Sequence, residues 1–176
     1  MVGMIEALRR EHAEMSELLD LIDQQINDQD GADLELLHEV LDYCLTYPDQ
    51  YHHPKEDLIY RAMCRHERAL APAIEDLEAE HEELSILTRE LAGLVEDARA
   101  RGLARPPGLK GLGQSLLELY RQHIAKEEHW LFPDALELLT AEEWADIESE
   151  VSDPTDPLFR EQAAQRLQSL ANRAVP

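Results

Sequence analysis

A chain of 176 residues suits one domain with a proper core, and its 44% hydrophobic and 31% charged content is that of an ordinary globular protein, neither disordered nor membrane-like. The formal net charge of -22 repels phosphate backbones and anionic lipid, which argues against nucleic-acid and membrane partners; it suits cations, although solubility explains it equally well. No apolar run approaches the ~18 residues of a membrane span, and MVGMIEALRREH lacks the charged-then-apolar order of a signal peptide, so the expected location is cytoplasmic.

The first predicted helix carries Ile5, Leu8, His12, Met15, Leu19, Ile22 and Ile26 at steps of three and four, the seam of a helix packed in a bundle. Asn27 to Ala32 read as a loop, with Gly31 as a stop. A second seam runs through Leu34, Leu37, Leu41 and Leu45, then His52, Glu56, Ile59 and Met63. Pro48 and Pro54 interrupt it; each removes a backbone donor and should kink or restart the helix. Cys44 and Cys64 fit no metal or redox spacing and read as small hydrophobes.

Pro72 suits the first turn of a third helix, whose seam is Ile74, Leu77, His81, Leu84, Thr88, Leu91 and Val95. Gly102 to Gly108, with Pro106 and Pro107, is a breaker. The fourth seam is Leu109, Leu112, Leu116, Leu119, His123, Glu127 and Trp130, until Pro133 ends or bends it. Thr140-Ala-Glu-Glu143 is a capping box that opens a short helix, and Pro157 opens a last amphipathic one through Leu158, Leu167 and Leu170. The expected fold is all-α: an up-down antiparallel four-helix bundle over residues 1–139, with two short additional C-terminal helices in an extension, 140–176, packed on the bundle or on a partner.

The polar residues on these seams carry the functional argument. His12, His52, Glu56, His81, His123 and Glu127 stand where Leu or Ile would be expected. A buried carboxylate is costly unless it is paired or bound to metal. Residues four apart share one helix face, so His52 with Glu56, and His123 with Glu127, can each reach one inward site. The pattern occurs twice: Leu8 to His12 and Leu77 to His81 share L-x-x-E-H, and H-x-x-x-E follows in each half, with repeat distances of 69 and 71 residues. A lone seam histidine is usually a satisfied core residue; four helices each supplying such a group point to a metal site. Mixed imidazole and carboxylate ligation suits non-haem iron better than calcium or a thiolate zinc site. His53, turned ~100° from His52 around the helix, reaches the same interior only on a wide inner face. His38, His66 and His129 read as surface or cap residues; Tyr47, Tyr51 and Tyr120 lie within about a turn of the candidate ligands. The acidic run Glu75 to Glu80 reads as a solvated face.

Four stretches, Leu8-Arg-Arg-Glu-His12, Tyr51-His-His-Pro-Lys-Glu-Asp57, Leu77-Glu-Ala-Glu-His81 and His123-Ile-Ala-Lys-Glu-Glu-His-Trp-Leu-Phe-Pro133, resemble the hemerythrin-like family, also called the HHE cation-binding domain. The resemblance implies a four-helix bundle around two iron ions joined by two carboxylates and an oxo or hydroxo bridge. It assigns His12 and His52 to one iron, His81 and His123 to the other, and Glu56 and Glu127 to the bridges, with His53 as an additional ligand of the second iron. The chain departs from the oxygen-carrying hemerythrins: Ser85 stands where they have a second third-helix histidine, and His123 and Glu127 are four apart where they space histidine and aspartate by five.

The leading expectation is a di-iron protein that binds or senses oxygen, peroxide or nitric oxide. One alternative is a di-iron enzyme with catalase-like or nitric oxide-handling activity. Another is a metal-dependent regulatory or interaction module, whose C-terminal extension makes a partner or homodimer surface.

Overall fold

The computed structural model describes residues 2–29, 31–151 and 169, and among them it is helical with no strand. The elements are α1 (Val2–Asn27), α2 (Leu34–Tyr47), a π-helical turn (Pro48–His52), α3 (His53–His66), a 3-10 turn (Arg68–Leu70), α4 (Ala71–Ala100), α5 (Leu109–Lys126), a second π-helical turn (Glu127–Leu131), α6 (Phe132–Leu138) and α7 (Ala141–Val151). Since α2 runs into α3 and α5 into α6, the bundle has four long helical runs.

Contacts between the runs give their relative directions. Gln25 accepts from the Asp33 amide, Met15 touches Cys44 and Glu11 meets His52, so α1 is antiparallel to α2–α3. Arg99 with Glu35 and Ser85 with Asp49 give the same for α4 against α2–α3. Arg121 with Asp20 and Arg9 with Glu128 give it for α5–α6 against α1.

The interior has two apolar zones. One gathers Leu18, Ile22, Leu41, Leu91 and Leu116. The other gathers Leu8, Ile59, Tyr60, Phe132 and Trp144. Buried polar groups of the seams lie between them, since Leu8 belongs to one zone and Met15 to the other, with His12 between. Each fully buried Leu or Ile contributes about 1.5–3 kcal/mol, and these layers hold the backbone that places the polar residues.

Pro54 and Pro133 perturb the helix without ending it. His53 donates its amide to the Pro48 carbonyl, and Phe132 donates to the Glu127 carbonyl, each five residues back. Pro54 and Pro133 follow immediately. A helical proline has no N–H to donate, and its ring crowds the carbonyl four residues back. Widening the preceding turn by one residue relieves both problems, so the helix continues through a π-turn instead of stopping.

The capping box at Thr140 forms as expected: the Glu143 amide donates to Thr140 Oγ1, and the Thr140 amide donates to Glu143 Oε2. Trp144 and Ile147 then pack α7 into the second apolar zone, and His66 pairs with Glu143 at 2.7 Å. The expected final helix through Leu158, Leu167 and Leu170 lies outside the described residues.

Gly113 brings α5 close to α1, where an added Cβ would stand 2.9 Å from Ile26 Cγ2. Ile26 is fully buried and β-branched, with little room to turn. Gly113→Val is expected to destabilise the bundle by about 1–3 kcal/mol, read as a lower urea midpoint at unchanged m-value. An unshifted midpoint would show that the two helices can separate at no cost.

Candidate metal centre

Six of the seven candidate residues come together as two overlapping groups: His12, His52, Glu56 and Glu127, and Glu56, His81, His123 and Glu127. In each group one ligand atom per residue lies within 4.8 Å of all the others, and Glu56 and Glu127 belong to both. Both carboxylates are fully buried.

The spacing tests the fit to a metal. Ligand atoms about 2.1 Å from a common ion are roughly 3.0 Å apart at a right angle and roughly 3.4 Å apart in a tetrahedron. Here His12 Nε2 lies 3.0 Å from His52 Nε2, and His81 Nε2 lies 2.9 Å from His123 Nε2. Glu56 Oε1 is 2.9 Å from His52 Nε2 and 3.5 Å from His12 Nε2, while its Oε2 is 3.5 Å from His81 Nε2. Glu127 Oε2 is 3.2 Å from His12 Nε2 and 3.4 Å from His123 Nε2. Glu56 Oε1, Glu56 Oε2 and Glu127 Oε2 are buried with no hydrogen-bond partner. Donors at coordination spacing, with carboxylate oxygens that nothing else satisfies, fit a pair of cations.

Carboxylates outside the groups orient the rings. His52 Nδ1 donates to Glu11 at 2.8 Å, and Lys55 holds Glu11 at 2.5 Å. His123 Nδ1 donates to Glu80 at 3.0 Å, and Lys126 holds Glu80. These two arrangements are equivalent in the two halves of the chain. His12 Nδ1 donates to Glu128 at 2.9 Å, and Arg9 binds Glu128. Such bonds fix the tautomer and leave each Nε2 lone pair facing inward. Phe132 stacks on His12 at 5.4 Å and fixes its plane. His81 is held differently, by the His53 ring stacked on it at 3.7 Å.

His53 belongs to neither group. It is buried beside His52, and its Nδ1 lies 3.3 Å from Asp49. Both adjacent histidines are inside because the π-turn ending at His52 widens the inner face. His38, His66 and His129 lie outside both groups: His66 binds Glu143, and His129 donates to the Ala125 carbonyl.

Without metal, protons balance the buried carboxylates. Burial opposes charge on His12, yet Glu127 and Glu56 hold its pKa up at about 10. Burial likewise opposes charge on His52, and Glu56 and Glu11 hold it up at about 9. Burial, reinforced by His53, pushes His81 down to about 2. Burial opposes ionisation of Glu56, but His52 and His12 keep its carboxyl well below the usual range. A metal bound at these nitrogens would displace the His12 and His52 protons. Loading at neutral pH is therefore expected to release on the order of two protons per chain, measured with a pH indicator in weak buffer. Metal uptake without proton release would place the ions elsewhere.

A small, partly open cavity of about 20 Å3 adjoins the groups, lined by Glu11, His12, Met15, Tyr47, Pro48, His52, His53, Tyr120, His123 and Ile124. That is room for little more than one water-sized molecule. Tyr47 and Tyr120 line it; Tyr51 does not. His53 also lines an open cleft with Asp49, Pro54, Asp57, Glu78 and His81.

Sequence reading missed the roles of Glu11, Glu80 and Glu128. The signal for the first two was present: each immediately precedes a seam histidine in the repeated E-H pair. Glu80 was expected on a solvated face, but it is half-buried because it turns toward His123 on the neighbouring helix.

Among the described residues no helix is long and apolar enough to cross a membrane. A family model described as Hemerythrin HHE cation binding domain matches residues 3–135. Neither a curated protein nor a solved structure gives a match.

Proposed function

The chain belongs to the hemerythrin HHE cation-binding domain family, and from that premise we propose that it is a non-haem di-iron protein that binds or senses oxygen, peroxide or nitric oxide. The observation that carries this reading is the pair of buried groups sharing Glu56 and Glu127, at coordination spacing and with unpartnered oxygens. His12 and His52 would hold one ion, His81 and His123 the other. Iron bound there supplies reversible one-electron chemistry and an affinity for small oxygen and nitrogen ligands.

The chain's own residues set the limits on that chemistry. The small volume of the cavity beside the two groups suits a small ligand. Met15, Ile124 and Pro48 make its wall partly apolar. Glu11, which also lines it, is engaged by His52 and Lys55 and is no free proton carrier.

The test is metal stoichiometry and the visible spectrum of aerobically purified protein, beside a His81→Ala, His123→Ala double variant. About two irons per chain, with near-ultraviolet charge-transfer absorption that the variant loses, is the expected result. No iron, or metal content unchanged in the variant, would make the buried histidines structural.

A further inference from the structure

The two shared carboxylates are not equivalent. Tyr60, fully buried on α3, donates its hydroxyl to Glu127 Oε1 at 2.5 Å. Only Glu127 Oε2 is left without a partner, and it faces one histidine of each group, His12 at 3.2 Å and His123 at 3.4 Å. Glu56 has both oxygens free and divides them, Oε1 toward His12 and His52, Oε2 toward His81.

The internal repeat shows where the difference originates. Tyr60 stands four residues after Glu56, and the position four residues after Glu127 is Leu131. Leu131 is fully buried and has no donor to offer Glu56. One substitution between otherwise similar halves thus gives one carboxylate a phenol and leaves the other bare.

We propose that Tyr60 is a positioning residue that restricts Glu127 to a single oxygen shared by both metal ions, while Glu56 gives one oxygen to each. This rests on the di-iron reading above. The phenol draws negative charge away from Glu127, so the pair receives less electron density and its reduced form is favoured. Tyr60 would therefore slow oxidation of the reduced centre.

Tyr60→Phe keeps the ring and its packing and removes only the donor. Wild type and variant are loaded with ferrous iron, and separately with cobalt(II), whose visible bands report coordination. The expected result is full helicity and two metals per chain in both proteins. The variant should show altered cobalt bands, a lower ferrous/ferric midpoint potential and severalfold faster oxidation in air. Matching bands and potentials would overturn the proposal, because a phenol that only fills space changes neither. Loss of metal or of helicity in the variant would also overturn it, by making Tyr60 structural. Failure of wild type to hold two metals would instead reject the di-iron reading itself.

Discussion

Stripping the metal is expected to lower the apparent melting temperature by about 8–16 °C. A ligand present at a thousand times its dissociation constant stabilises the folded chain by about 4 kcal/mol, and each kcal/mol moves the midpoint of a domain this size by about 2–4 °C. The loss has a structural cause: Glu56 and Glu127 are fully buried, and among the described residues three of their oxygens have no hydrogen-bond partner. The metal-free chain should nevertheless fold near neutral pH, because protons on His12 and His52 replace part of the cationic charge. Their folded pKa values, about 10 and about 9, are raised above the ordinary 6.5. That contribution is complete below pH 6.5 and is lost as pH rises through about 9 and 10. The gap between metal-loaded and stripped protein should widen from pH 6.5 to pH 10. Paired thermal melts with and without chelator, followed by helical circular dichroism, measure it; a gap that stayed flat or narrowed would mean those histidines do not carry the balancing protons.

Much of this centre is legible in the sequence. Seam residues step by three and four, so a histidine at position 12 or a glutamate at 56 can be assigned to the interior from the pattern alone. Glu56 and Glu127 could be paired across the bundle because the chain repeats at 71 residues. Two things escaped for physical reasons. Pro54 and Pro133 were expected to kink, restart, end or bend their helices, but the pattern does not say which; the ladder shifts to the carbonyl five residues back in both. Tyr60 escaped because its partner is 67 residues away on another helix, and the seam pattern treats a tyrosine as one more core residue.

Glu56→Gln is the variant that separates a shared pair from two independent sites. Glu56 gives Oε1 to the His12–His52 side and Oε2 to the His81 side. The amide lacks the negative charge and turns an N–H donor toward one of the two groups, where a cation cannot accept it. One ion therefore loses an oxygen ligand, and the other keeps only a neutral carbonyl in place of a shared carboxylate. An outer partner such as Glu11 or Glu80 costs roughly 10–100-fold in metal affinity when removed, and loss of a shared inner carboxylate should exceed that. Metal content is expected to fall from about two per chain to well under one, whereas His52→Ala, which touches one group only, should retain the other ion. The measurement is elemental analysis of protein loaded in excess ferrous iron and desalted, with helicity checked alongside. A Glu56→Gln protein that kept one firmly bound ion would show that the His81–His123 and His12–His52 groups act separately, and that Glu56 serves only one of them.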